Sequence, residues 1–125
     1  ESMTSGWRQR TLAHPDYLPQ LDLLAVDADD QPAGFCIGWF APHGPQGQPS
    51  GQIEPIGVRE DLRGRGLGRA LLTECLARLA AAGATTTFVE TDNYRDAAFK
   101  FYTAMGFCIA QHITVYRKDY PPSVD

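Results

Sequence analysis

The residues best suited to chemistry are Arg63-Gly64-Arg65-Gly66-Leu67-Gly68. They lie between a strand expected to end near Val58 and a helix expected to run on through Ala70, Leu71 and Leu72. A helix that begins inside a glycine-rich turn directs unpaired backbone N–H groups outward, with the positive end of its dipole behind them. Such a terminus receives phosphate oxygens. The glycines leave no side chain to hold those oxygens away from the main chain. Arg59, Arg63, Arg65 and Arg69 add positive charge at the same spot, although the chain as a whole carries a formal charge of -4. The local field therefore opposes the global one and favours an anion here.

Two phosphate-loop patterns do not fit. A Gly-x-Gly-x-x-Gly fingerprint starting at Gly64 and Gly66 requires glycine where the chain has Arg69. The P-loop requires lysine followed by serine or threonine, and the turn has neither. Taken alone, the turn also reads as simple punctuation between a strand and a helix.

The 125 residues suffice for one domain, spanning 1–125, with one core. The composition, 43% hydrophobic and 21% charged, is that of a globular protein, and no apolar run approaches membrane length. The acidic balance argues against non-specific binding to nucleic acid or membrane. Cys36, Cys75 and Cys108 lack metal-ligand spacing and cannot all pair, which points to a reducing cytoplasm. No secretory segment is visible, and Met3 after Glu1-Ser2 reads as an expression scar or a trimmed start.

The elements that must position the turn follow from pattern. Residues 1–20, broken by His14-Pro15 and Leu18-Pro19, are expected to be an extended lead-in or a single turn. Residues 21–27 and 33–40 read as two strands of a hairpin around the polar stretch 28–32. Residues 42–51, rich in proline and glycine, read as a mobile loop. Residues 51–58 form a third strand, and Pro55 within it requires an edge, or a bulge and splaying from a neighbour. In the helix after the turn, Leu67, Leu71, Cys75 and Leu79 make one stripe with Leu72, Leu76 and Ala80 beside it, ended by Gly83. Residues 85–90 read as a strand parallel to 51–58 after a crossover. A shorter helix over 95–105 is stopped by Gly106, residues 107–117 read as one long last strand, and Pro121-Pro122 begins a frayed tail. Helices do not alternate with strands from the start, so a doubly wound nucleotide fold is not expected.

Three ordered stretches resemble the GNAT N-acetyltransferase family. Arg63, Gly66 and Gly68 match its Arg/Gln-x-x-Gly-x-Gly/Ala turn, which binds the pyrophosphate of acetyl-coenzyme A (acetyl-CoA). Ala98, Phe101-Tyr102 and Met105-Gly106-Phe107 resemble its helix ending Ala-x-x-x-Tyr-x-x-x-Gly-Phe, and Ile53-Glu54-Pro55-Ile56-Gly57-Val58 resembles its splayed strand. The match covers about residues 21–117 and looks most like mycothiol synthase-like acetyltransferases. It implies an α/β (α+β) fold: a mixed, mostly antiparallel sheet with a splayed parallel strand pair, flanked by helices. Twenty leading residues cannot hold the family's opening strand and two helices, which wall off the acceptor. The resemblance then implies that the chain belongs to a larger protein, or borrows the wall from an additional domain or a second copy in a homodimer.

The activity implied is acetyl transfer from acetyl-CoA to a primary amine, on a small molecule or a peptide, by direct attack in a ternary complex. Cofactor contacts would come from Arg63, Gly64, Arg65, Gly66, Leu67, Gly68 and Arg69, with Ile56, Gly57 and Val58 pairing with the pantetheine arm. Amides around Gly57 and Val58 would stabilise the oxyanion. In many members an asparagine before the second helix bonds that arm, and Asn93 or Arg95 stands near its place. An alkylammonium with pKa near ~10.4 is mostly protonated at neutral pH, so a base is useful. Glu54 is the candidate, with Glu90 in reserve, and the plain alternative is a solvated Glu54. Tyr102 resembles the family's acid for the departing thiolate; the plain alternative is a core aromatic. Cys36, Cys75 and Cys108 lack an evident histidine partner, and His14, His43 and His112 look scattered. A binding or sensing module for acyl-CoA without catalysis is the rival reading.

Overall fold

The computed structural model describes residues 5–90, 97–111 and 115–119. Along the chain run α1 (Ser5–Ala13), β1 (Asp22–Val26), β2 (Pro32–Ala41), β3 (Ser50–Val58), α2 (Leu67–Ala82), β4 (Thr86–Glu90), α3 (Ala97–Ala104), β5 (Cys108–Gln111) and β6 (Val115–Asp119). The strands form one mixed sheet in the order β1-β2-β3-β4-β6-β5, in which, among the described residues, only the β3–β4 pair is parallel. The expected fold class is the one observed.

The β1–β2 turn is held by Asp27, whose Oδ1 accepts the amides of Asp29 (2.8 Å) and Gln31 (3.0 Å). A short acidic side chain that bonds its own downstream backbone is a standard way to close a turn. Between β2 and β3 the loop carries a short 3-10 turn, Pro45–Gly47, clasped by the Gly44 amide donating to the Gln48 carbonyl at 2.8 Å.

Pro55 lies in an interior strand, with β2 on one side and β4 on the other. Two irregularities accommodate it. The β2–β3 register passes from Gly38–Ile53 to Cys36–Ile56, so β3 has one residue more than β2 there and bulges at Glu54 and Pro55. On the other side, β3 pairs with β4 only at Ser50–Thr86, Gly51–Thr87 and Gln52–Phe88. Past that point the two parallel strands part company, so no ladder bond to β4 is asked of the proline.

α2 lies across β2 and β3 and buries Leu71, Leu72, Cys75, Leu76 and Leu79, each leucine worth roughly 1.5–3 kcal/mol of transfer energy when fully buried. Close approach requires bare backbone opposite: a Cβ on Gly38 would come 2.8 Å from Cys75 Sγ, and one on Gly51 2.9 Å from Leu79 Cδ1. The helix ends as expected at Gly83, whose φ of 116° lets the Gly83 and Ala84 amides cap the Ala80 and Leu79 carbonyls.

Three expectations are corrected. Residues 5–13 are helical, because both prolines lie downstream of Ala13 and leave the preceding segment intact. α1 is fastened by the Arg8–Asp22 ion pair (2.6 Å), and the Tyr17 hydroxyl donates to the same carboxylate. Ala80 is exposed rather than part of the buried stripe. The long last strand is two antiparallel strands, β5 and β6, with Cys108 opposite Arg117 and Ile109 opposite Tyr116. Alternation marks which face a residue takes, and two hairpin strands alternate as one long strand does. The frayed tail at Pro121-Pro122, and Ile113 within the expected strand, lie outside the described residues.

Candidate active site

Gly64 (φ 79°) and Gly66 (φ 86°) bend the chain into α2, and Gly66 stands at its N-cap with no side-chain cap. The first intrahelical bond runs from the Ala70 amide to the Gly66 carbonyl (3.0 Å), so the amides of Leu67, Gly68 and Arg69 have no partner within the helix. They border a cavity of about 570 Å³. Ile56 and Val58 line it from β3, and Ala98, Phe101 and Tyr102 from α3. The turn's amides, one edge of β3 and one face of α3 therefore share a single hollow.

The edge of β3 is polar in a defined sense. Arg59 donates its amide to the Ala33 carbonyl of β2 (2.8 Å). Alternate residues of an antiparallel strand address the same neighbour. Gly57 thus also directs its amide at β2, while Ile56 and Val58 turn theirs to the side that β4 has left. Gly57 instead lines a neighbouring hollow beside Phe35, which shares Ile56, Val58 and Arg63 with the turn-side cavity. The Val58 carbonyl, on the open side, accepts from Arg63 Nε at 3.1 Å.

The arginines divide. Arg63 and Arg69 border the cavity. Arg65 is exposed and exerts its charge on Asp61. Arg59 does not join them, because its guanidinium is taken up by Asp61, Asp27 and the Pro32 carbonyl. Asn93 and Arg95 lie outside the described residues.

A second cavity, about 580 Å³, opens where β3 and β4 diverge. Trp39, Gln52 and Phe88 line it with three carboxylates, Asp16, Glu54 and Glu90. Gly44 and Pro45 border it as well, so the proline-rich loop flanks this side. An adjoining hollow of about 240 Å³ shares His14, Trp39 and Glu54 and is closed by Trp7, Arg10 and Thr11 of α1. The first helix, unforeseen in the sequence, is thus a wall of this region.

Glu54 is exposed and faces both hollows. Its carboxylate accepts from Gln52 Nε2 (3.3 Å), and its carbonyl accepts from the Trp39 indole N–H (2.7 Å). Glu90, also exposed, lines the larger of the two. Tyr102 lies apart from both, at the turn-side cavity, 6% exposed and packed against Phe101 and Phe107 at ring separations of 5.4 and 5.6 Å. It is a core aromatic and a cavity wall at once.

Cys36 and Cys75 are buried against each other between β2 and α2. The hydrogen bond with Cys75, and burial with it, push the Cys36 thiol far above its ordinary range, so it is no nucleophile. Cys108 is exposed and lines neither cavity. Residues that sequence reasoning missed are Trp39, Phe88, Asp16 and His14. The last packs its ring against Trp39 at 5.2 Å rather than standing scattered. For Trp39 and Phe88 the signal lies in register: Trp39 pairs with Gln52, which pairs with Phe88.

Comparison with known proteins agrees with this arrangement. The profile described as Acetyltransferase (GNAT) family matches residues 2–107. The chain is 41% identical over 88 residues to a mycothiol acetyltransferase of Corynebacterium aurimucosum, covering 69% of this chain and 28% of that protein. It is also 41% identical over 106 residues to one from Clavibacter michiganensis, covering 78% and 33%. The chain thus spans about a third of the length of these curated relatives. Among solved structures, Ard1 from Thermoplasma volcanium shares the fold, with a TM-score of 0.78 at 19% identity over 98% of this chain and 83% of that one. An Escherichia coli GNAT family N-acetyltransferase (YhbS) in complex with CoA gives a TM-score of 0.65 at 26% identity over 82% and 59%. With the family profile matched along most of its length, the chain belongs to the acetyltransferase (GNAT) family.

Proposed function

We propose that this chain is the acetyl-CoA-binding, catalytic domain of an N-acetyltransferase that acetylates a primary amine by direct attack in a ternary complex. One observation carries the reading: the capless start of α2 and the unpaired edge of β3 border a single cavity, beside the point where β3 leaves β4. The mycothiol acetyltransferases and the CoA complex among its relatives support the same donor.

In this reading the amides of Leu67, Gly68 and Arg69, with Arg63 and Arg69, receive the diphosphate. Gly64, Arg65 and Gly66 shape its approach, and Ile56, Gly57 and Val58 form the strand along which the pantetheine arm lies. Asn93 or Arg95 completes the contact to that arm. The Val58 and Ile56 amides, aimed into the gap, stabilise negative charge on the thioester oxygen as the amine nitrogen bonds to the carbonyl carbon. The C–S bond then breaks, and the leaving thiolate takes a proton from Tyr102. Glu54, with Glu90 in reserve, removes the proton that the amine must lose, directly or through water.

The acceptor is a small-molecule or peptide amine that enters the hollow bordered by Trp39, Glu54 and Glu90. We assign the protein to the cytoplasm, in keeping with three cysteines that lack metal-ligand spacing and cannot all pair; no helix of the described residues is long and apolar enough to cross a membrane. Neither nucleic acid nor membrane is a proposed partner. A further domain or a second copy completes the acceptor wall, of which α1 supplies a nine-residue part.

The packing of Tyr102 against Phe101 and Phe107 favours a second reading, an acyl-CoA-binding module without turnover. Two measurements separate the readings. Coenzyme A at about a hundred times its dissociation constant raises stability by roughly 2.7 kcal/mol for either a binder or an enzyme. Thiol release from acetyl-CoA across an amine panel is expected only of the enzyme, and its absence with every amine would leave the binding module.

A further inference from the structure

We infer that Arg59 is a positioning residue that fixes the β1–β2 hairpin to the segment leading into the 63–68 turn, and so presets that turn for a diphosphate. The inference rests on the donor-binding reading above. Its ground is a continuous set of contacts. Arg59 Nη1 donates to Asp27 Oδ2 and to the Pro32 carbonyl, both at 2.9 Å, and thereby grips the hairpin at two points. Its Nε and Nη2 donate to the Asp61 carboxylate at 2.7 and 3.3 Å in a fork-to-fork pair. Asp61 belongs to the 3-10 turn Glu60–Leu62, whose bonds from Leu62 to Arg59 (2.9 Å) and from Arg63 to Glu60 (3.3 Å) run into the phosphate turn.

The backbone is tied at the same place, since the Arg59 amide donates to the Ala33 carbonyl. Each charge in the group is held ionised. The Arg59 hydrogen bond holds Asp61 below the usual carboxylate range, and the Gln31 amide, followed by Arg59, does the same for Asp27. By position in the sequence Arg59 is one more cation for the phosphate. In the fold its donors point to the protein instead.

All three partners are solvent-accessible, and exposed ion pairs contribute little to global stability. The clamp therefore acts on the geometry of the turn and hardly on the melting point. Those two readouts separate it from ordinary structural support.

The test compares the unmodified protein with Arg59→Gln, Asp27→Asn and the double variant, at one salt concentration. Coenzyme A affinity is measured by calorimetry, KM and kcat by thiol release, and the melting midpoint without ligand. Each single variant is expected to weaken coenzyme A binding roughly three- to tenfold, and the double variant no more than the worse single, as coupled residues do. KM for acetyl-CoA should rise while kcat at saturation and the melting midpoint hold. If Arg59 touches the phosphate directly, Arg59→Gln loses affinity while Asp27→Asn keeps or gains it, and the inference is overturned. Singles without effect, or losses that add in the double variant, also overturn it. Coenzyme A binding by the unmodified protein keeps such failures distinct from failure of the donor reading; no binding at all removes both.

Discussion

Tyr102 is almost wholly buried and Glu54 is open to solvent, so deleting the reactive atom of each tests a different step. Tyr102→Phe is expected to lower turnover by roughly 10² to 10⁴ if the hydroxyl protonates the thiolate; an unchanged single-turnover rate would leave the ring a packing role only. Glu54→Gln keeps the shape of the side chain and removes its basicity. A drop of roughly 10² or more in kcat/KM at neutral pH is expected, with coenzyme A affinity held, because Glu54 borders no part of the turn-side cavity. Should the loss appear in Glu90→Gln and not in Glu54→Gln, the base is Glu90. At this scale the sequence was readable where backbone chemistry decides. Gly64 and Gly66 take the positive φ that their residue type invites. It was opaque where partners lie far along the chain, as with Arg59, whose carboxylate Asp27 is 32 residues away.

The helix α2 offers a test in which fold and binding move in opposite directions. Gly68 lies in its first turn, and a Cβ there meets Val58 Cγ2 at an ordinary 3.5 Å. Gly68→Leu should leave the fold as stable or gain up to about 1 kcal/mol from helix propensity, while its longer side chain fills the cavity and abolishes coenzyme A capture by calorimetry. Retention of capture would remove the turn from the binding site. The helix α1 is expected to respond to pH. Burial first, and then the hydrogen bond to Asp22, raise the Tyr17 pKa above the phenol's ordinary value. A raised folded pKa contributes stability below the unfolded value, near ~10, and loses it as pH rises through the folded value. Tryptophan fluorescence is therefore expected to report loosening of α1 only in that alkaline window, and Tyr17→Phe to abolish the step. At this scale the hairpin, α2 and the parallel return were legible from periodicity and from Gly83. The break between β5 and β6 was not, since neither proline nor glycine occurs in residues 109–115 to announce a reversal.

Across the whole molecule, the proline in β3 foretold that a strand would depart from its neighbour, but not that it would do so in the middle of the sheet. The paired register shows that β3 and β4 part after Gln52–Phe88, and one hollow borders β3 before Pro55 and another after it. Among the described residues these hollows share no lining residue: one reaches β3 at Ile56 and Val58, the other at Ser50, Gly51, Gln52 and Glu54. Two separate doorways have a kinetic consequence. Neither reactant has to wait for the other to arrive or leave, so addition is expected in random order. Double-reciprocal plots at several fixed acceptor concentrations should then intersect, and each dead-end analogue should compete only with its own reactant. Parallel lines would mean that the first product departs before the second reactant enters, which these two mouths give no reason to expect.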